Sequence, residues 1–166
     1  LLEEWMHGQH NLPLLGICQG AQMIAWHLGA EVGPKPDAAT EFGYYEITPT
    51  TEAAGFMDAP LLACQSHFHT FGIPEGAVRL AGSVLFPNQA FRYGDKTYGV
   101  QFHPEVTVEG FRRWQRSHAG HYGKPGVQSR AEQDALILEA DAAQADWFYG
   151  FLEGLFGSRK SMRDAA

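Results

Sequence analysis

The stretch that decides the fold runs from residue 12 to residue 22 and reads Leu-Pro-Leu-Leu-Gly-Ile-Cys-Gln-Gly-Ala-Gln. Its first half is a short apolar run with the length of a buried parallel strand, and Pro13 fits only at the first strand position, where no ladder donor is needed. A helix is predicted from about Gly20 to Leu28, with Gly29 as its C-terminal stop. The sequence therefore places Cys18 on a sharp turn between a strand and a helix.

The pattern Gly16-Ile17-Cys18-Gln19-Gly20 is typical of a nucleophile elbow. Both glycines are expected to be required, because a Cβ at either place would crowd the neighbouring strand or helix. The helix start offers unpaired N–H groups that favour a thiolate, and the backbone N–H of Gln19 is the predicted first donor of an oxyanion hole. Because free cysteines are common in cores, a buried core cysteine stays an alternative on this pattern alone. Cys64 has no glycine elbow and is predicted to be a core residue.

A thiol nucleophile needs a base, and the base needs a third group that fixes its tautomer. His103 follows an apolar strand and Glu105 lies two residues further on, with Pro104 ending the strand between them. The reactive crevice of an open α/β sheet lies beyond the carboxyl ends of its strands. We therefore expect Cys18 and His103 to meet there. The alternative is a hydrogen-bonded histidine at a strand end beside a helix-capping glutamate.

Short β-type runs fill the middle of the chain, and helices dominate its C-terminal part. The strands are predicted over 42–48, 61–66, 78–81, 89–93 and 97–102. Helices are predicted over 1–9 and 106–118, and from the capping box at Ser129 and Glu132 to Phe156. The expected buried stripe of that last helix consists of Leu138, Ala145, Phe148, Leu152 and Leu155. The pattern indicates one α/β layered domain over 1–166, on which the 129–157 helix packs.

Composition excludes several classes of function. The net charge of -7 argues against nucleic acid as a partner, and no apolar run approaches the roughly 18 residues that cross a bilayer. Two cysteines do not make a disulfide framework and fit a reducing compartment, so we expect a cytoplasmic protein. No metal site and no cofactor are predicted, because the pair of His67 and His69 supplies only two candidate ligands.

Two separated motifs resemble those of the class I glutamine amidotransferases. The stretch 16–22 is similar to their G-x-C-x-G-x-Q signature, and 101–105 is similar to their Q-F-H-P-E. The intervening segments 41–43, 66–67 and 87–91 resemble the GMP-synthase-like branch, and the resemblance covers about 1–107.

This resemblance implies a flavodoxin-like three-layer α/β/α domain with a central, mostly parallel sheet, which hydrolyses the side-chain amide of glutamine. It further implies that Cys18 is the nucleophile, His103 its base and Glu105 the residue that orients the base. The glutamine substrate would be held with the help of three further residues, namely Gln22, Ser66 and His67.

Two departures from the family pattern qualify this assignment. GMP synthetases often continue the Ser-His pair with Gly-Asp, whereas Phe68 and His69 stand here, and the chain has no ATP-pyrophosphatase loop. Family domains also place one or two strands and a glycine-rich loop before the elbow. A chain that reaches its nucleophile at Cys18 is expected to lack those strands and one oxyanion donor, and to be inactive in isolation.

Three functions stay open on the sequence. The first is a glutaminase that passes ammonia to a separate synthase. The second is a γ-glutamyl peptide hydrolase with the same Cys-His-Glu triad. The third is a non-catalytic regulatory domain that has kept the fold.

Overall fold

A six-stranded sheet forms the centre of the structure, a computed structural model that describes residues 12–157. Its strands are β1 (Leu14–Ile17), β3 (Glu41–Pro49), β4 (Leu61–His67), β6 (Ala77–Gly82), β7 (Ala90–Tyr93) and β8 (Thr97–Val100), with a separate pair of β2 (Val32–Pro34) and β5 (His69–Phe71). Across the large sheet the order is β1-β8-β7-β6-β3-β4. The α-helices are α1 (Gln19–His27), α2 (Val108–Ser117) and α3 (Arg130–Phe156).

The large sheet is mixed, which corrects the expectation of a mostly parallel one. Only β1 and β8 are parallel, and the pairs β8–β7, β7–β6, β6–β3 and β3–β4 are antiparallel. For the pairs that are consecutive in the chain, β3–β4, β6–β7 and β7–β8, the physical reason is the length of the connections, since a short connection joins antiparallel strands, whereas a parallel pair needs a long crossover. β7 and β8 are joined by three residues, 94–96, whereas α1 and all six other strands lie between β1 and β8 in the chain.

Helices cover both faces of this sheet. Leu14 packs with Ala21, Ile24 and Ala25 of α1. Leu15 packs on a different hydrophobic cluster, which also includes Trp147 and Phe151 of α3. Because successive strand residues point to opposite faces, α1 and α3 lie on opposite sides of β1. The three-layer α/β, flavodoxin-like class expected from the sequence is confirmed.

The predicted strands and helices of the described residues are all present, with ends that differ by a few residues. The capping box is also confirmed, since the Ser129 side chain accepts from the Glu132 N–H and the Glu132 carboxylate accepts from the Ser129 N–H. The three-residue strands β2 and β5 were not predicted. The helix predicted over 1–9 lies outside the described residues, within which no helix has both the length and the apolarity needed to cross a bilayer.

The buried stripe predicted for α3 is wrong. Leu138 is 73% exposed, and the other four predicted residues are only partly buried. The face that packs on β3 and β4 instead carries residues at helical spacing, of which two are glutamines: Gln133, Ile137, Ala140 and Gln144.

These two glutamines satisfy backbone groups that the sheet leaves unpaired. The amide nitrogen of Gln133 donates to the Phe42 carbonyl at 2.9 Å. Gln144 accepts from the Cys64 N–H at 2.9 Å and donates to the Val106 carbonyl at 2.9 Å. A buried backbone group without a partner is costly, so amides occupy core positions that a hydrophobic pattern assigns to apolar residues.

The two faces of α3 lead to a paired prediction. Gln144→Leu is expected to lower the free energy of unfolding by about 1–3 kcal/mol, because it leaves the buried Cys64 N–H and the buried Val106 carbonyl without a hydrogen-bond partner. The mirror change Leu138→Gln, on the exposed face, is expected to stay within about 0.5 kcal/mol of the wild type. Urea titrations followed by circular dichroism measure both values, and equal losses would contradict this assignment of the faces.

Candidate active site

Cys18 occupies a strained turn between β1 and α1. Its backbone has φ 48° and ψ −106°, a left-handed value that a non-glycine residue rarely adopts, and strain of this kind is concentrated at functional sites. The Cys18 N–H donates to the Val100 carbonyl at the end of β8, at 2.7 Å. The turn therefore holds the thiol just beyond the parallel pair of strands.

Of the two glycines in the elbow, only Gly16 is sterically required. A Cβ on Gly16 would lie 2.6 Å from the carbonyl carbon of Gly20, so the first turn of α1 presses directly on β1. A Cβ on Gly20 would meet no atom within 4 Å, which corrects the expectation that both glycines prevent crowding. The backbone of Gly20 instead lies directly against Gly16 of β1.

His103 lies beyond the end of β8, the strand paired with β1. Its N–H donates to the Cys64 carbonyl of β4 at 2.8 Å, and its Nδ1 lies 2.7 Å from Oε1 of Glu105. The ring packs edge-on against the Trp114 indole of α2, with centroids 4.9 Å apart. The imidazole side chain is 14% exposed, so the ring has one orientation and a narrow opening to solvent.

Cys18 is a second hydrogen-bond partner of the imidazole. Burial by itself lowers the pKa of His103, but hydrogen bonds with Cys18 and Glu105 and the negative charge of both raise it to about 9. The structure thus brings together the three residues that the sequence singled out. Such an arrangement favours the protonated form of the His103 ring.

Gln101 also reaches the thiol, and sequence reasoning did not single it out. Its amide nitrogen donates to Cys18 Sγ at 3.4 Å, and its amide oxygen accepts from Gln22 Nε2 at 3.1 Å. Gln101 is fully buried, so this donor is fixed in place. The available signal was its position in the motif that ends with His103, two residues before the histidine at the end of a strand.

The three residues predicted to hold glutamine differ in how they connect to this centre. Gln22 bonds to Gln101 and, at 3.4 Å, to the His69 carbonyl. Ser66 is half-buried on β4. The His67 ring is buried with both nitrogens engaged, Nδ1 with the His69 carbonyl and Nε2 with Glu41, so its side chain offers no free polar group to a ligand.

Gln19 is the first residue of α1, so its N–H has no partner within the helix.

The described residues contain no group of three or more metal-binding side chains, and the pair of His67 and His69 gains no third ligand there. Cys64 is fully buried, and burial, followed by the charge of Glu105, raises the pKa of its thiol well above the usual range. Cys64 is the core residue expected from the sequence.

A family model described as "Glutamine amidotransferase class-I" matches residues 2–113. The chain belongs to the class I glutamine amidotransferase family. It is 40% identical over 101 residues to a glutamine-hydrolysing GMP synthase of Porphyromonas gingivalis, an alignment that covers 58% of this chain and 20% of that protein. It is 38% identical over 104 residues to one subunit of the glutamine-hydrolysing GMP synthase of Thermococcus kodakarensis, covering 60% of this chain and 54% of that relative.

The fold is shared with a crystal structure of a glutamine amidotransferase from Thermotoga maritima. The TM-score is 0.74 at 30% sequence identity, over 88% of this chain and 63% of that one. The chain therefore spans less than two thirds of the length of each of these three proteins.

The elbow gives a test with a matched pair of variants. Gly16→Ala is expected to lower the free energy of unfolding by about 1–3 kcal/mol, because its methyl group overlaps the backbone of α1. Gly20→Ala has open space and is expected to leave stability unchanged or raise it by up to about 1 kcal/mol, since alanine favours the helix. Thermal or urea unfolding of both variants measures the difference, and similar losses would contradict the close packing of β1 on α1.

The raised pKa of His103 gives a test by titration. The imidazolium's contribution to stability is complete below its ordinary pKa of 6.5 and is lost as the pH rises through about 9. Cys18→Ala removes a hydrogen bond and a negative charge from the ring, so the pKa of His103 is expected to fall. NMR titration of the histidine ring in the wild type and the variant measures both values. An unchanged pKa would mean that Cys18 is not the partner of the ring.

Proposed function

We propose that the protein is a glutaminase that hydrolyses the side-chain amide of glutamine through a γ-glutamyl thioester on Cys18. The observation that carries this proposal is the strained elbow that presents Cys18 to His103, whose far nitrogen is bonded to Glu105. Membership of the class I glutamine amidotransferase family supports the same chemistry.

The reaction needs two steps and one proton carrier. The Cys18 thiolate attacks the amide carbon, a C–S bond forms, and the C–N bond breaks as ammonia leaves with a proton from the His103 imidazolium. His103 then takes a proton from water as the water oxygen attacks the thioester carbonyl, so that a C–O bond forms and the C–S bond breaks. Glutamate is released, and the Cys18 thiolate and the His103 imidazolium are restored. Glu105 keeps the proton on Nδ1 and thereby directs Nε2 toward Cys18 throughout.

The oxyanion of each tetrahedral intermediate needs donors beside Cys18. The N–H of Gln19, at the start of α1, is suited to this because it has no helical partner and lies at the positive end of the helix dipole. Gln22, which bonds to Gln101, supplies a polar side chain for the amino-acid part of the substrate, and Ser66 of β4 is proposed to supply another. Any contribution of His67 comes from its backbone, because the ring nitrogens are occupied.

The ammonia is proposed to pass to a separate synthase, in a cytoplasmic protein that needs no cofactor of its own for this step. The relatives described above support this, because one is a glutamine-hydrolysing GMP synthase and another is a subunit of such an enzyme.

A γ-glutamyl peptide hydrolase is the second candidate, and one feature of the surface favours it. A cavity of about 530 Å³ adjoins the elbow, where Gln19 and Gln22 meet the apolar side chains of Met23, Trp26 and Val32. Free glutamine has no apolar group that would contact this apolar lining, whereas the leaving amine of a γ-glutamyl conjugate can have an apolar group.

A glutamine-analogue chloroketone tests the proposed nucleophile. The reagent is expected to add one equivalent to the product of the whole gene, and mass spectrometry of peptides is expected to place it on Cys18. Cys64 is the internal control, since its buried thiol should stay unlabelled in the folded protein. His103→Gln is expected to slow labelling by about 10²-fold, because the thiolate loses its proton partner.

Comparison of ammonia release from glutamine with cleavage of γ-glutamyl peptides then separates the two enzymes. A protein that labels at Cys18 but prefers the peptides would be the hydrolase. A protein in which Cys18 does not label would be a non-catalytic member of the family.

A further inference from the structure

A second histidine–carboxylate pair lies buried beside the site and has no part in the chemistry proposed above. Nε2 of His67 lies 2.9 Å from Oε2 of Glu41, and the two side chains are 2% and 0% exposed. Glu41 also accepts from Gln89 Nε2 at 2.6 Å and from the Ser83 hydroxyl at 2.5 Å. The Phe86 ring packs edge-on against the imidazole at 4.5 Å between centroids, which fixes its plane.

The other nitrogen of His67 extends this cluster toward the thiol. Nδ1 lies 2.9 Å from the His69 carbonyl oxygen, which can only accept, so Nδ1 carries a proton. The same carbonyl accepts from Gln22 at 3.4 Å, and Gln22 donates to Gln101, the residue that donates to Cys18. A continuous series of hydrogen bonds therefore runs from the buried Glu41 to the sulfur.

The His69 carbonyl is the junction of this series. It belongs to the first residue of β5, directly after the turn that leaves β4 at His67. Without the His67 N–H, the His69 carbonyl would lose the hydrogen bond that fixes its orientation, and its hydrogen bond from the Gln22 amide would weaken. The Gln22 amide, which donates to the Gln101 oxygen, would then be held less firmly, and so would the Gln101 N–H that points at Cys18 Sγ.

We infer that the buried Glu41–His67 pair is a positioning element, which holds the His69 carbonyl so that Gln22 and Gln101 present an N–H to Cys18. This rests on the proposed role of Cys18 as a nucleophile. The His67 ring bonds to the His69 carbonyl and to Glu41 and not to the thiol, and Glu41 acts only through His67.

The alternative is that the pair only stabilises the fold. Two substitutions of His67 separate the two roles, because asparagine places its amide N–H near the position of Nδ1 and glutamine places it near Nε2. His67→Asn keeps a donor for the His69 carbonyl and removes one from Glu41. His67→Gln does the reverse.

The two roles predict opposite orders for the reactivity of Cys18 in the two variants. His67→Gln keeps a donor on the buried carboxylate and should be the more stable variant, because an under-bonded buried charge is more costly than an under-bonded carbonyl. If the pair positions the Cys18 contacts, His67→Asn should nevertheless react faster. We expect iodoacetamide to alkylate Cys18 in His67→Asn within about threefold of the wild-type rate, and in His67→Gln about tenfold more slowly.

Alkylation by iodoacetamide needs no bound glutamine, so this order can be measured even if the protein hydrolyses another substrate or none. Melting temperatures measured beside the rates give the stability order. The inference is overturned if His67→Gln reacts as fast as His67→Asn or faster. If His67→Asn does not fold, the same comparison is made in a Glu41→Gln background, which removes the under-bonded buried charge.

Ser83→Ala is the matched control. It removes a donor from Oε1 of Glu41, the oxygen that does not bond to His67, and leaves the series to Cys18 intact. The rate of Cys18 alkylation is expected to stay at the wild-type value. A loss as large as that of His67→Gln would mean that any disturbance of the buried cluster slows the thiol, and the inference would fail.

Discussion

Parallel pairing of β1 with β8 joins the strand that ends at Cys18 to the strand that ends before His103, and the rest of the site depends on it. Gly16 pairs with Gly99 and Ile17 with Val100, and the Cys18 N–H extends the pairing to the Val100 carbonyl. Parallel strands end at the same edge of a sheet, so two motifs that are distant in sequence converge there. This is the geometry from which a raised pKa of His103 follows, because the ring is held between Cys18 and Glu105.

The pairing also requires that both strands come close to their neighbours. A Cβ on Gly16 would overlap the backbone of α1, and a Cβ on Gly99 would lie 2.3 Å from the Phe91 ring of β7. Glycine at these two partnered positions lets α1 and the Phe91 ring approach the same part of the sheet. The strain at Cys18 is tolerated because the elements on either side of it are packed this tightly.

Buried glutamine amides make hydrogen bonds at several places in the core. Gln133 and Gln144 pair backbone groups of β3 and β4 with α3, while Gln22 and Gln101 connect the thiol with the His69 carbonyl. Gln89 likewise joins the Glu41 cluster to Gln65 of β4, donating to Glu41 and accepting from Gln65 at 2.8 Å. An amide has both a donor and an acceptor, so it can satisfy two groups in a core without introducing a charge. These glutamines therefore fix the orientation of the groups they bond to, which apolar side chains in the same positions would not do.

Local sequence sufficed for the elements and for the three central residues of the site. The elbow, the strand before His103 and the capping box at Ser129 each depend on neighbours within a few residues, so their patterns could be interpreted directly. The buried face of α3, the strands β2 and β5 and the role of Gln101 could not be predicted in this way. Each depends on which unpaired N–H or carbonyl a distant strand presents, and only the folded chain brings those groups within hydrogen-bonding distance.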